Sequence, residues 1–433
     1  AGGEHAPEPV RDDVHGTTTD IRFFNSLISQ TYVFKLNLYF PITPLRSHYI
    51  PSPNREVMVK YRLGELFSGP GGLSYGAMNA KVILDGETHE IVHQWASDYD
   101  EDSCKTFSRN ICKTENGTIS NSVHHTDVKH LDIASLDPID ILAFGFPCND
   151  FSHVGESKGM EGDFGMLYEY GVKALNLHNP MAFVAENVSG INSSDEGRSF
   201  AKILRELRNA GEYGYNVTTE LHPFEHLGVP QARHRYIIVG IRKDLNKEYY
   251  MHAHTHVDDL VSSMEAITDP PVHLAQFGIK GEIPDGHPNH KVREPDGVVK
   301  RRLEVIPEGE NAWCDAVEND PDLRINTKTK LSSIYRRLDR NKPAYTVTGS
   351  GGGGTHMYHW EDARALTNRE KARLQTFPDD YRFWGGVTSV RKQIGMAVPP
   401  YGAKLIFEML LVALADSPSL KIMSDVEPKK ATF

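Results

Sequence analysis

ELFSGPGGLSYG, residues 65–76, decides how the rest of the chain is read. An apolar run ends at Phe67, and Gly69, Gly71 and Gly72 follow around Pro70. Glycine tolerates positive φ and lets a ligand approach the backbone closely. A helix opening here would present its N-terminus to an anionic group such as a carboxylate. A lone glycine cluster can equally be a tight turn, so the surroundings must decide.

Outward from it, short apolar runs alternate with helix-like stretches. YRLGELFSG (61–69), EIVHQWAS (90–97), IDILAFGF (139–146), MAFVAENV (181–188) and RYIIVGI (235–241) read as buried strands. SFAKILRELRNAG (199–211) has apolar residues at helical spacing and a glycine stop. The alternation predicts an α/β domain with a mostly parallel sheet.

Chemistry-bearing residues cluster where those strands end. Asp98, with Tyr99, follows the second, and Asp127 lies in HTDV. Ligands of doubly wound sheets bind beyond the carboxyl ends of strands, and an acid after the second strand can hold ribose hydroxyls. Either Asp alone is an ordinary turn residue; in this order behind the glycines they indicate a nucleoside-type cofactor. GFPCNDFS (145–152) carries Cys148, either a small buried hydrophobe or a nucleophile on a turn. In FVAENVSG (183–190), Glu186 is a helix cap or an acid beside that cysteine. PQARHRYIIVG (230–240) sets Arg233 and Arg235 on one side of a strand by its two-residue period. They suit phosphate or base-oxygen contacts, or form a surface ladder.

The remainder bounds these readings. At 433 residues the chain exceeds one hydrophobic core, so two or three domains are expected. Hydrophobic content of 39% and charged content of 24% describe an ordinary soluble globular protein. A net charge of −11 argues against a wholly basic nucleic-acid binder but leaves room for a locally basic cleft. Four cysteines make no disulfide framework and no zinc spacing, so no metal is expected and a reducing compartment fits. No apolar run approaches a membrane span of roughly 18 residues. The opening AGGEHAPEPV reads as a processed or truncated start without secretory character.

Residues 1–56, with six prolines, form an N-terminal extension of unknown role. Residues 57–243 carry the α/β pattern, which fades into a polar region, 244–342. Within that region RINTKTKLSSIYRRLDRNK (324–342) holds seven Lys or Arg against one Asp, either a solvated face or a phosphate-contacting one. Residues 343–433 include TVTGSGGGGTH (346–356), whose Gly351 to Gly354 could be a flexible linker. The helix-like LTNREKARLQTF (366–377) follows, then KQIGMAVPPYGAKLIFEMLLVAL (392–414), a turn leading into an apolar helix.

Taken in order, these fragments resemble the cytosine-C5 DNA methyltransferase family, from about Gly64 to Ile241 and again from Pro343 to Leu414. The resemblance implies a Rossmann-like domain that binds S-adenosylmethionine, and a smaller target-recognition domain at 244–342. Cys148 would attack C6 of a cytosine flipped out of double-stranded DNA. Glu186 would assist at N3 and the exocyclic amine, Arg235 with Arg233 would hold O2 or a flanking phosphate, and Asn187 would brace the cysteine loop. Residues 152–165 match the family's mobile loop. Phe67, Gly69, Pro70, Gly71, Gly72 and Leu73 would surround the methionine part of the cofactor. Asp98 would take the ribose, Tyr99 the adenine face, and Asp127 with Val128 the adenine amine and ring; Pro147, Leu167 and Ala397 complete the pocket. Two departures stand out: Asn149 replaces a common glutamine, and Met396 follows Gly395 where relatives carry asparagine, which bears on cofactor affinity. The expected protein is prokaryotic, cytoplasmic and monomeric, a partner to a restriction endonuclease of the same target. The alternatives are a tRNA cytosine-C5 methyltransferase, whose Cys-Phe-Thr motif is missing here, and a catalytically weak DNA-binding regulator.

Overall fold

The computed structural model describes residues 57–115, 117–146, 166–192, 197–251, 254–327, 329–350 and 355–415. Arg55–Phe433 is set apart from Ala1–Asn54 as the second of two units along the chain. The second unit carries every element below.

Eight strands build one sheet. They are β1 (Val57–Leu66), β2 (Lys81–Leu84), β3 (Glu87–Asp98), β4 (Val123–His125), β5 (Ile141–Gly145), β6 (Ala182–Val188), β7 (Tyr215–Pro223) and β9 (His234–Arg242). The order is β2-β3-β1-β5-β6-β9-β7, with β4 also on β3. Parallel pairings join β3, β1, β5 and β6 and add β4, whereas β2, β9 and β7 run antiparallel to their neighbours. The sheet is thus parallel at its centre and mixed at its edges. The apolar run 235–241 gives no sign of this reversal, because strand periodicity is blind to direction. The short β8 (Gln231–Ala232) pairs separately with β10 (Ala344–Tyr345).

Central strands are buried on both faces, as their unbroken apolar runs require. In β5, Ile141 and Ala143 point into one core with Val184, Ile237 and Val239. Leu142 and Phe144 point into the other with Phe183, Ala185 and Ile238. The second face is covered by α3 (Tyr168–His178) and α4 (Arg198–Asn209), through Ala174, Leu175, Ile203 and Leu207. The first is covered by α1 (Gly72–Asn79) and by α11 (Pro400–Leu414), whose Ile406, Phe407 and Leu410 are fully buried. These two helices touch through Gly76, where a Cβ would stand 2.5 Å from the Ala403 Cβ. α2 (Glu101–Asn110) follows β3 and is capped by Asp100, which accepts from the Ser103 amide.

Two further apolar clusters lie beyond the sheet. One joins Ala266 and Ile267 of α5 (Ser263–Thr268) to Leu374 of α9 (Asn368–Leu374) and to Val390 and Ile394 of α10 (Val387–Met396). The other gathers Leu303 of α7 (Gly297–Val305), Val317 of α8 (Asp315–Glu318), Tyr335 and Tyr358. Between these two, α6 (Val272–Gln276) packs Leu274 against Val261 and Ile279. Buried arginines stitch this region together. Arg337 donates to the carbonyls of Leu303, Ile306 and His359. Arg373 donates to those of Ile267 and Gly281 and grips Asp379 with two bonds of 2.9 Å.

The basic run 324–342 is therefore no uniform phosphate-facing stripe. Arg337 is internal, Lys330 pairs with Glu318, Arg340 with Glu308 and Lys342 with Asp339, while Arg336 lies over the Tyr345 ring. The run Val387–Leu414 is long and apolar enough to cross a membrane, contrary to the sequence expectation, yet two thirds of its apolar window is buried inside the protein, 67%. It is also interrupted between α10 and α11 at Ala397–Pro399.

Candidate active site

The glycine turn connects β1 to α1 at the carboxyl end of the sheet. Phe67, Gly69 and Gly71 all have positive φ (56°, 52° and 95°), which keeps the chain close to the strand ends before α1 starts at Gly72. Behind the turn the packing is closed. A Cβ on Gly72 would stand 2.3 Å from the Val398 carbonyl oxygen and 3.3 Å from the Ala397 Cβ. The Tyr381 hydroxyl donates to the Pro70 carbonyl. In front of Gly69 the space is open, with nothing within 4 Å of where a Cβ would be. Leu73 is buried in the core beneath.

Asp98 ends β3 beside this opening. Its carboxylate accepts from the Gly69 amide (2.8 Å) and the Asp100 amide (2.9 Å). Burial raises its pKa, and the two amides pull the other way. Tyr99 is 60% exposed, so its ring is available to a planar ligand. Lys392 of α10 lies over that ring at 5.3 Å and donates to the Tyr99 hydroxyl at 3.1 Å. Asp127 is exposed at the end of β4 and accepts from the Lys129 amide, starting the turn that buries Val128. Leu167 is buried at the start of α3, and Ala397 is buried against the glycine turn. Met396, by contrast, is 59% exposed.

One strand further on, β5 and β6 end side by side, Gly145 opposite Glu186. The Glu186 carboxylate lies 3.5 Å from where a Cβ on Gly145 would stand and is paired with Arg235 at 3.0 Å. Asn187 donates through Nδ2 to the Phe146 carbonyl (3.1 Å) and accepts from the Val188 amide (2.8 Å). Pro147, Cys148 and the loop 152–165 lie outside the described residues. What is visible is the strand end that leads into them, held by Asn187 and flanked by Glu186.

The two arginines that the strand period sets together diverge. Arg235 sits in β9 and reaches Glu186. Arg233 precedes β9, is buried, and donates to the carbonyls of Val347 (3.2 Å) and Gly395 (3.3 Å). It ties the start of β9 to the C-terminal segment that closes behind the glycine turn.

Sequence reasoning passed over Glu65. It is 1% exposed at the end of β1, accepts from the Ser74 hydroxyl of α1, and burial pushes its pKa up to about 8. The signal was present: a carboxylate inside an apolar strand run is rare unless it has a local partner. Lys392 and Tyr381 were also missed, since nothing in a linear pattern shows that residues some 300 positions apart will meet at Tyr99 and Pro70.

A family model described as C-5 cytosine-specific DNA methylase matches residues 61–411. The Type II methyltransferase M.BbvI of Brevibacillus brevis is 50% identical over 382 residues, 86% of this chain and 97% of that protein. The Type II methyltransferase M.NgoFVII of Neisseria gonorrhoeae is 34% identical over 360 residues, 83% of this chain and 88% of its own length. Among solved structures, a prophage-encoded E. coli protein assigned as a DNA modification methyltransferase has a TM-score of 0.61 at 22% identity, covering 82% of this chain and 99% of that one. That likeness speaks for the fold. Family match and relatives together carry the further conclusion that this chain belongs to the C-5 cytosine-specific DNA methylase family.

Proposed function

We propose that this chain is a sequence-specific DNA (cytosine-5-)-methyltransferase whose reaction centre is the meeting of the β5, β6 and β9 ends beside the glycine turn. The observation that carries the reading is the Glu186–Arg235 pair at 3.0 Å beside Gly145, with Asn187 holding Phe146 two residues before Cys148. A carboxylate and a guanidinium held together suit the Watson–Crick edge of a pyrimidine, which offers an amine, a ring nitrogen and a carbonyl oxygen in a row.

Cytosine C5 is a poor nucleophile, and the ring face on which C6 and C5 must react is covered by stacking in a duplex, so the base must be flipped into the pocket. In this reading the Cys148 thiolate adds to C6, which gives C5 enamine character. Glu186 passes a proton to N3 and accepts from the exocyclic amine, which neutralises the negative charge that the thiolate brings onto the ring. Once C5 has taken up the methyl group it loses its proton to a base, and elimination across C5–C6 returns the Cys148 thiolate. Arg235 holds O2. Arg233, through the Val347 and Gly395 carbonyls, fixes the start of β9 from which Arg235 projects. Asn187 sets the angle at which the chain enters the cysteine turn.

The donor side fits S-adenosylmethionine. The open space before Gly69 and the α1 N-terminus suit an amino-acid moiety, the buried Asp98 suits vicinal hydroxyls, and exposed Tyr99 and Asp127 suit the face and the amine of an adenine. The bound cofactor supplies an electrophilic methyl group.

Residues 57–243 with 343–433 are assigned to catalysis and 244–342 to reading the target. The role of 1–56 stays unassigned. The proposal extends to a monomer in a prokaryotic cytoplasm and to a restriction endonuclease that shares the target, of which only the last is suggested by the Type II names of the relatives.

The test is a duplex carrying 5-fluorocytosine incubated with protein and S-adenosylmethionine. A covalent complex that survives denaturant, and is lost in Cys148→Ala, is expected; its absence from the unmodified protein overturns the assignment. Bisulfite sequencing of DNA from a methylation-free host expressing the chain gives the target. Transfer to tRNA alone would favour the RNA alternative, and no transfer at all the regulator.

A further inference from the structure

The sequence expectation names no metal, and the reaction above uses none. A separate cluster nevertheless has the composition of a metal centre. Glu220 and His222 are two residues apart on β7, so their side chains leave the same face of the strand. β7 is the last strand of the sheet, and Tyr249 and His256 are each hydrogen-bonded to residues on it or just beyond it. Thr218 donates to the Tyr249 carbonyl (3.2 Å), and the His256 amide donates to the His226 carbonyl (3.0 Å). Between these two anchors His254 lies edge-on to His222, ring centroids 5.6 Å apart, and 5.4 Å from the His226 ring.

One ligand atom from each of Glu220, His222 and His254 lies within 4.8 Å of the other two. His222 is fully buried, and its Nε2 lies 3.3 Å from the Met251 sulfur. Nε2 of His254 is buried with no hydrogen-bond partner. A tetrahedral ion with bonds of about 2.0–2.1 Å holds its ligand atoms some ~3.3 Å apart, so small side-chain rotations close the gap. Two imidazoles and a carboxylate are the donors of a borderline cation rather than of calcium or magnesium, which prefer all-oxygen shells.

We propose that Glu220, His222 and His254 form a binding site for a divalent transition-metal ion of the zinc class, which ties His254 to the sheet edge. The site lies apart from the cofactor side but not from the chemistry. His222 faces Arg235 directly across the β7–β9 ladder. An ion there fixes the strand that backs the Arg235 end of β9 and adds positive charge to its neighbourhood.

Cobalt(II) is the probe, because its visible bands report tetrahedral nitrogen and oxygen ligation. Full-length protein stripped with chelator should take up one equivalent of Co2+ with a saturable visible band. Zn2+ should displace it, and Mg2+ should not. His254→Ala and Glu220→Gln should each weaken Co2+ binding at least tenfold, whereas His287→Ala, a histidine outside the cluster, should leave it unchanged. His222 is buried, so its replacement could unfold the edge. The two other variants carry the test, each first shown to melt within a few degrees of the parent without metal. Absence of a one-to-one band, or a band that survives in both His254→Ala and Glu220→Gln, overturns the site.

Discussion

Single side chains set the sharpest expectations. Replacing Glu186 with Gln keeps the shape but removes the charge that faces Arg235, so methyl transfer should fall roughly 10²–10⁴-fold, the usual worth of such a group. Labelled-cofactor turnover checks this, and binding of duplex DNA should persist. Glu65 makes a different prediction. Its folded pKa of about 8 lies above the ordinary 4.5, so the native state retains a proton that the unfolded chain releases. Stability from this group is present at low pH and is lost as pH rises through that window, by up to ~1.4 kcal/mol per unit. Melting curves between pH 5 and 8 should therefore fall more steeply for the parent than for Glu65→Gln. At this scale the sequence was legible where spacing and order carried the reading: Asp98, Asp127, Glu186 and Asn187 all stand at the strand ends where the glycine turn called for them. It was not legible for Arg233 and Arg235. The two-residue period put both on one face, but β9 begins at His234, and Arg233 turns inward to carbonyls that belong to residues 347 and 395.

Secondary-structure elements show why the two ends of the motif series must meet. α1 and α11 pack without an intervening side chain at Gly76, so Gly76→Ala forces Ala403 and the Pro400 carbonyl apart and should cost about 1–3 kcal/mol, read as a drop in melting temperature. α9 depends on local hydrogen bonds, because all seven of its residues, charged ones included, are buried. Thr367 and Glu370 form a reciprocal capping box, and Thr367→Ala should cost about 1 kcal/mol. α4, expected at 199–211 from its hydrophobic period and glycine stop, spans Arg198–Asn209. α9 and α11 fall within the helix-like stretches 366–377 and 392–414, although the turn expected at the start of the latter is the end of α10. What period could not show was β7 or the reversal of β9. An edge strand with exposed Glu220 and Leu221 lacks the apolar run that marked its neighbours. The burial of Arg369 and Arg373 was equally hidden, since a charged residue reads as surface until its carbonyl partners are known.

Across the whole molecule, charge is spent on holding segments together more than on display. If 244–342 reads DNA, its phosphate contacts must come from cations that remain outward, such as exposed Arg324. Arg324→Ala should lower the salt dependence of DNA binding by roughly one unit of slope, as expected for one lost phosphate contact. Arg337→Ala should instead destabilise the cluster around Leu303 and Tyr335, broadening the melting transition whatever the salt. The bond from Tyr381 to the Pro70 carbonyl, and the seating of Val398 on Gly72, have a consequence in time. Ribosomes add on the order of 5–20 residues per second, so the loop at 69–72 waits tens of seconds for the segment that closes behind it. A nascent chain thus carries its strands long before the glycine turn is closed from behind. Activity should switch on only after residue 400 has left the exit tunnel. A cell newly acquiring this gene would have an interval of protein synthesis without modification, which favours its being translated ahead of any nuclease that reads the same site.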